Sequence, residues 1–468
     1  MGEPWELSIV SAADQIRRRE LSSEELVDSV LRRLRETEDY SRAWAYVDEQ
    51  GARAAAAAAD GDLLAGLDKG PLSGIPIGIK DVIDVAGMPT EAGSNSLRGN
   101  VASTDADSIR QLRSSGAIIL GKTETYEFAF GQGTPPSRNP WDPARYAGGS
   151  SIGSGVAVAV GSAFGALGTD TGGSVRNPAS VNGLVGLKPT TGLVSGKGMY
   201  NVSHTLDHIG PIARTAADCA ALFYGMVRPE IMHRLVAGAS GLEPVPTRLA
   251  VDRAQWEDWG MSEGVGVVLD RAVADLEQLG FEIVELAVPQ LAMALPTSLA
   301  ICLSESVQHH RDRVHRSPHD YLPETRVMIG TGALIPVEDV YLARQVQTYL
   351  RSTITAALDS VGATAIISPT LPAVAPLAAA MSNELTGEVH NNSLSSALKM
   401  LTAASVSGLP GLSVACGLSE GQPVGMHLMG RMYSEPALFS IGSAYEAATK
   451  WHTYIPVVKL PALVGRGA

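Results

Sequence analysis

The sequence predicts an α/β fold: a single large α/β/α unit whose mixed, mostly parallel central sheet is covered by helices on both faces. Three observations predict it. Short β-branched runs alternate with amphipathic stretches along most of the chain, the pattern of strands joined by helical crossovers. Hydrophobic residues make up 45% and charged residues 18%, enough apolar surface for a large core and too little charge for disorder. No repeat and no low-complexity linker divides the 468 residues, so they read as one unit rather than several.

The elements follow in order. Ser22-Ser23-Glu24-Glu25 is a capping box, and Leu26, Val27, Val30, Leu31 and Leu34 form the helical stripe behind it. The alanine-rich stretch 53–65 reads as a second helix. At 75–85 the period changes to an extended β-branched run, Ile75-Pro76-Ile77-Gly78-Ile79-Lys80-Asp81-Val82-Ile83-Asp84-Val85. A helix over 107–115 leads to a buried strand at 117–121. Further strands are expected at 249–251, 281–284, 365–367, 412–415 and 424–428. Helices over 267–278 and 436–448 separate them, and 337–356 forms a helical insertion or flank.

The formal net charge is −13, and no cluster of Lys and Arg with interleaved aromatics occurs, which argues against nucleic-acid binding. Cys219, Cys302 and Cys416 are odd in number and lack C-x-x-C spacing. They predict small buried apolar residues, not a disulfide framework or a zinc knuckle. Met1-Gly2-Glu3-Pro4-Trp5-Glu6 has no apolar signal segment. The most hydrophobic long window, 363–381, carries Pro369, Pro372 and Pro376, which no smooth membrane helix tolerates. A cytoplasmic protein with no membrane partner is the expectation.

Chemistry concentrates in residues 148–174. Ser150 and Ser174 each sit in a glycine-rich turn, Gly148-Gly149-Ser150-Ser151 and Thr171-Gly172-Gly173-Ser174, on either side of an apolar segment. Fourteen of these twenty-seven residues are Gly or Ser, so a flexible linker is the alternative. The interior, Val156-Ala157-Val158-Ala159-Val160 and Phe164-Gly165-Ala166-Leu167, argues against a linker and predicts a tightly packed helix between two turns. Glycine turns let main-chain N–H groups approach a bound atom. Such groups beside a hydroxyl suit acyl transfer. Lys80 closes an apolar strand. It is either an ordinary exposed lysine or, if buried, one whose ammonium loses its proton readily; the residues alone leave both open.

Taken together these residues resemble the amidase signature family. The resemblance covers most of the chain. It runs from the 22–34 helix through Gly74-Ile75-Pro76 and Lys80-Asp81 to Gly121-Lys122-Thr123 and Asn139-Pro140-Trp141-Asp142-Pro143. The two serine turns follow, then Gly186-Leu187-Lys188-Pro189-Thr190, Leu206-Asp207-His208-Ile209-Gly210-Pro211, Ser368-Pro369-Thr370, Gly408-Leu409-Pro410 and the stretch 425–431. It implies one amidase signature domain over 1–468: N-terminal helices to about 70, a catalytic core to about 220, and a remainder completing sheet and pocket.

By position the resemblance makes Ser174 the acyl-forming nucleophile, Ser150 a bridging serine after a cis peptide bond, and Lys80 the base. The amides of Thr171, Gly172, Gly173 and Ser174 would form the oxyanion hole, with Ser151, Asp170 and Arg176 in support. The candidate pocket residues are Tyr126, Phe128, Ile152 and Tyr200, together with Tyr146 and the stretch 300–310. The implied reaction is hydrolysis of a small-molecule amide with no cofactor, and a homodimer is offered by family analogy. Two residues depart from the pattern: Ile152, where glycine or serine is usual, and Glu124, where asparagine is frequent in a loop near the acyl pocket. The rivals are the glutaminase component of a tRNA-dependent amidotransferase, a carbamate or urea hydrolase, and a non-catalytic binding protein on the same scaffold.

Other signals are weaker. Asp170-Thr171-Gly172 matches the aspartic-protease triplet but has no second copy. Ser396-Ala397-Leu398-Lys399 fits S-x-x-K without its companion motifs and predicts a surface helix. Gly153-Ser154-Gly155 fails dinucleotide-loop spacing. His204 and His208 flank Asp207 without helical context or a third ligand, so no metal is implied. His309-His310 predicts a solvated helix face.

Overall fold

The computed structural model describes residues 2–130, 135–239, 248–381 and 393–456. Among these, eleven strands form one sheet. They are β1 (Trp44–Val47), β2 (Pro76–Lys80), β3 (Ile118–Thr123), β4 (Gly165–Asp170), β5 (Val185–Lys188), β6 (His208–Ala213), β7 (Arg248–Val251), β8 (Glu282–Glu285), β9 (Ala365–Pro369), β10 (Gly411–Ser419) and β11 (Gln422–Gly430). Their spatial order is β1-β3-β2-β4-β6-β5-β10-β11-β9-β7-β8, and helices cover both faces of this single α/β/α domain.

The sheet is mixed. Parallel pairing joins β3, β2 and β4, and again β9, β7 and β8. Helices such as Asp107–Ser114 and Glu263–Gln278 make the crossovers that parallel strands need. The block between is antiparallel, so parallel pairs make up less of the sheet than the alternation of strands and helices alone implies. One cause is plain in the chain. Only Glu420 and Gly421 separate β10 from β11, both with positive φ (52° and 72°), and a two-residue turn of that kind closes a hairpin.

The capping box forms as read: Ser22 accepts the Glu25 N–H, and the Glu25 carboxylate accepts the Ser22 N–H at 2.9 Å. The Ser23–Ser41 helix buries Leu26, Val27, Val30, Leu31 and Leu34. The apolar run 164–167 departs from expectation. The Ile152–Ala159 helix stops short of it, Gly161 turns the chain at φ 80°, and the run becomes β4. β1, β5 and β6 lie outside the strands expected from the sequence: β1 is only four residues long, and Gly186, Gly210 and Pro211 in β5 and β6 are poor strand formers. The Ala294–Arg316 helix does not present a fully solvated histidine pair. His309 is exposed, but His310 is buried with its ring 4.4 Å from Phe128 and its Nδ1 3.2 Å from Tyr321 Oη.

One helical stretch, Pro289–Arg316, is long and apolar enough to cross a membrane by length and composition alone. Its Ala294–Arg316 part packs instead against the Pro323–Gly332, Val337–Val361 and Ser393–Ser407 helices.

Topology places the chemistry. β2 and β4 are parallel neighbours, with Ile79 opposite Leu167. Lys80 and Asp170, the last residues of these strands, therefore emerge at the same edge of the sheet, where open α/β sheets present their sites. Close approach requires small residues there: a Cβ on Gly168 would lie 2.6 Å from Ser151 Oγ. A Cβ on Gly210 in β6 would lie 2.1 Å from the Leu187 carbonyl oxygen. Gly210→Ala should therefore destabilise the fold by about 1–3 kcal/mol, read as a lowered midpoint in thermal or urea unfolding; an unchanged midpoint would contradict this packing.

Candidate active site

The site begins with a buried ammonium. Lys80 is fully buried, its Nζ 2.7 Å from Ser150 Oγ and 2.8 Å from Thr169 Oγ1. Burial pushes its pKa down to about 7, against the pull of the Asp207 and Asp170 carboxylates. Of the two readings the sequence left open, the structure has the buried one.

The two serine turns are stitched together. The Gly149–Ser150 peptide is cis. Ser151 donates its N–H to Ser174 O at 3.4 Å and its hydroxyl to Thr169 O, while the Thr169 N–H donates back to Ser151 Oγ, both at 3.2 Å. Ser150 and Ser174 consequently stand on the wall of one cavity.

Asp170 organises the second turn. Its carboxylate accepts the N–H groups of Gly173 (2.8 Å) and Val175 (3.2 Å), and Nε and Nη2 of Arg176 at 3.0 and 2.9 Å. Burial alone would raise this carboxyl, but the Arg176 guanidinium outweighs it and holds the group well below the usual carboxylate range. Arg176 is itself fully buried and reaches Leu401 O, Ser405 Oγ and His427 Nε2 at 2.9, 2.9 and 3.1 Å. Nothing in the local sequence marks Leu401, Ser405 or His427 as its partners. Gly173 has φ 128°, and a Cβ there would lie 2.4 Å from Leu401 Cδ1; only glycine fits both constraints.

One expected oxyanion donor is corrected. The Gly173 N–H is taken by Asp170. The N–H groups of Thr171, Gly172 and Ser174 have no protein acceptor among the described residues, and all three residues line the cavity. Thr171 is anchored through its hydroxyl, 2.5 Å from Asp207 Oδ1; Asp207 Oδ2 accepts from the main chain of Val202 and Ser203. Burial raises the Asp207 carboxyl to about 6 despite these bonds. Sequence reasoning missed this function of Asp207, although it lies in the Leu206-to-Pro211 landmark.

The cavity holds about 160 Å³, close to the size known to admit a benzene ring. Tyr126 and Tyr146 line it, as do Leu299, Cys302 and Leu303 of the Ala294–Arg316 helix. Phe128, Ile152 and Tyr200 do not. Phe128 is fully buried against Tyr321 and His310, and Ile152 is enclosed at the start of its helix. Tyr200 turns its hydroxyl to Asn100 Nδ2 at 3.2 Å. Glu124 is also away from the acyl cavity. It shares a separate polar cavity with Asp81, Glu91 and Glu127, where burial raises its carboxyl to about 7.

Cys219 and Cys416 are core residues, whereas Cys302 stands on the cavity wall. His208 bonds Leu206 O and Thr191 Oγ1, while His204 packs on His309. Among the described residues no group of three His, Cys, Asp or Glu is arranged to hold a metal. Ser396 lies in the Ser393–Ser407 helix, its side chain outside the described residues.

The family model described as Amidase matches residues 25–439. An amidase from Pseudomonas putida is 37% identical over 483 residues, covering 98% of this chain and 99% of its own. The A-type component of the glutamyl-tRNA(Gln) amidotransferase of Roseiflexus castenholzii is 36% identical, covering 97% and 98%. Among solved structures, an amidase superposes with a TM-score of 0.83 at 30% identity, over 94% of this chain and 99% of the other. The native peptide amidase of Stenotrophomonas maltophilia gives 0.80 at 27% identity, over 97% and 98%.

Removing the charge that organises the second turn tests its importance. Asp170→Asn leaves the Arg176 guanidinium buried without its counter-ion and should cost about 3–5 kcal/mol, measured by chemical denaturation; a loss below about 1 kcal/mol would mean the pair does not organise this region.

Proposed function

The chain belongs to the amidase signature family, whose members are hydrolases of amide C–N bonds, and from that premise we propose that it is a stand-alone hydrolase of small neutral carboxylic amides. Ser174 acts as nucleophile, with Ser150 and Lys80 as its proton relay. The observation that carries this reading is the contact between buried Lys80 Nζ and Ser150 Oγ, with Ser174 on the same cavity wall.

An alcohol attacks a carbonyl only when its proton has somewhere to go. Ser150 takes the Ser174 proton and passes its own to neutral Lys80 as Ser174 Oγ bonds to the carbonyl carbon. The oxyanion is met by the N–H groups of Thr171, Gly172 and Ser174, an arrangement in which each donor typically contributes about 3 kcal/mol. The C–N bond breaks as the proton returns from Lys80 through Ser150 to the leaving nitrogen. Water then repeats the sequence on the acyl-enzyme and releases the acid. Asp170 and Arg176 hold the turn that presents these donors, and Ser151 ties it to the Ser150 turn.

The cavity supports a neutral substrate. Among its described lining residues none is charged. Glutamine would bring an ammonium and a carboxylate, and burying either without a partner is expensive. The rival reading, an ammonia-releasing component of a larger amidotransferase, is favoured by the glutamyl-tRNA(Gln) amidotransferase relatives. It predicts glutamine turnover that needs a second protein chain.

Ser174→Ala should lower turnover of a small aryl amide by at least about four orders of magnitude with an unchanged melting temperature; activity at the wild-type level would refute the assignment. Because Lys80 must be neutral to accept a proton and titrates at about 7, kcat/KM should rise from acid pH, pass its midpoint near pH 7 and level off above it. A profile flat from pH 5 to 9 would exclude Lys80 as the base.

A further inference from the structure

A buried carboxylate that the relay does not use lies about one helical turn beyond Cys302. Glu305 is only 6% exposed and belongs to the Ala294–Arg316 helix, which supplies Cys302 and Leu303 to the cavity wall. An enclosed carboxylate is costly unless donors and a counter-ion satisfy it. Here both are supplied. The Ser203 hydroxyl donates to it, as do the Thr205 hydroxyl at 2.9 Å and the Thr205 N–H at 3.3 Å. Arg344, from the Val337–Val361 helix, pairs with the same carboxylate and donates Nη1 to Thr205 Oγ1 at 2.7 Å. Exposed His204 brings its Nδ1 within 3.5 Å.

Two helices and one turn therefore meet at Glu305. The turn is 203–207, where the N–H groups of Leu206 and Asp207 donate back to Ser203 O at 3.1 and 2.9 Å. Two carboxylates hold it. Asp207 Oδ2 accepts the main-chain N–H groups of Val202 and Ser203, and Glu305 takes the side chains of Ser203 and Thr205. Asp207 Oδ1 accepts the Thr171 hydroxyl, and this bond leads to the nucleophile turn. The β4–β6 ladder ends at the Asp170–His208 pair, so Thr171 lies just beyond it. Asp170 fixes the later part of that turn through Gly173 and Val175. The side chain of Thr171 is held by Asp207 instead. The direction of the free Thr171 N–H thus follows the position of the 203–207 turn.

We propose that Glu305 is a positioning residue for the oxyanion hole: by holding Ser203 and Thr205 it seats Asp207, and Asp207 aims the Thr171 N–H at the developing oxyanion. This inference rests on the acyl-transfer reading of Ser174 and adds a device outside the cavity that aligns one donor before substrate enters. Alignment matters because such donors stabilise charge without reorganising as it develops. A displacement of about 1 Å caused from a distance can cost about a hundredfold in rate.

Steady-state kinetics on one small aryl amide test this in Glu305→Gln, Ser203→Ala, Thr171→Val and the double variants that join either of the first two to Thr171→Val. Glu305→Gln should lower kcat about tenfold and leave KM within about twofold, the signature of an interaction realised in the transition state. Ser203→Ala keeps the Glu305–Arg344 pair and cuts one tie to the turn. It should give a smaller loss, again in kcat. Thr171→Val breaks the same chain at its far end, so each double variant should lie within about twofold of Thr171→Val alone. Losses that multiply in the double variants would overturn the proposal, because Glu305 would then act by a route that bypasses Thr171. A raised KM with unchanged kcat, or wild-type kinetics in a folded Glu305→Gln, would overturn it equally. If Glu305→Gln does not fold, Ser203→Ala and its double variant decide by the same criteria. If the wild type neither hydrolyses aryl amides nor is labelled at Ser174 by a fluorophosphonate, the relay itself is refuted and the inference falls with it.

Discussion

The burial of the Lys80 ammonium is the constraint around which the rest of the site is arranged. A lysine in water is a cation and cannot act as a base near neutral pH. Enclosure brings its pKa to about 7, but enclosure also removes water from the donors and acceptors around it. The fold meets that demand with hydroxyls, Ser150 and Thr169, rather than with a carboxylate in direct contact. A salt bridge at Nζ would have restored the charge and with it the wrong protonation state. Asp207 and Asp170 act on Lys80 through space, while their own bonds go to Thr171 and to the Gly173–Arg176 turn.

The same low-polarity environment explains why the nucleophile turn carries a buried ion pair. Asp170 has two tasks: accepting main-chain N–H groups that fix the turn, and remaining charged while doing so. Arg176 serves the second task, and its remaining donors reach Leu401, Ser405 and His427. The turn is thereby connected to β11 and to a helix more than two hundred residues away in sequence. The long remainder of the chain after the core motif is in this sense part of the active site, because it closes the shell around the charge.

How much of this was legible in the sequence follows from how local each signal is. The capping box at Ser22, the strand ending at Lys80 and the hairpin strands around residues 412–428 were readable because their determinants lie within a few residues. β4 was not, because the apolar run 164–167 has no periodicity of its own and only a short turn around Gly161 separates it from the preceding helix. The residues of the proposed relay stand out through the glycine turns and the family resemblance, since these turns are continuous in sequence. The pocket does not. Phe128 and Tyr200 are pocket candidates in the sequence, yet Phe128 is held in the core by His310 and Tyr321, which lie far along the chain. Side-chain direction at a turn depends on such distant neighbours, and spacing carries no information about them.

The amidase and the glutamyl-tRNA(Gln) amidotransferase relatives match this chain at nearly equal identity, which is expected if the hydrolytic machinery is common and only the substrate surround differs. In the proposed relay Lys80, Ser150 and Ser174 act only on what every amide shares, so the relay does not distinguish one acyl group from another. Discrimination has to come from residues outside the motif. Here the described walls offer apolar side chains from the Ala294–Arg316 helix and uncharged polar groups. A cavity of this kind recognises shape and hydrogen-bond count rather than charge.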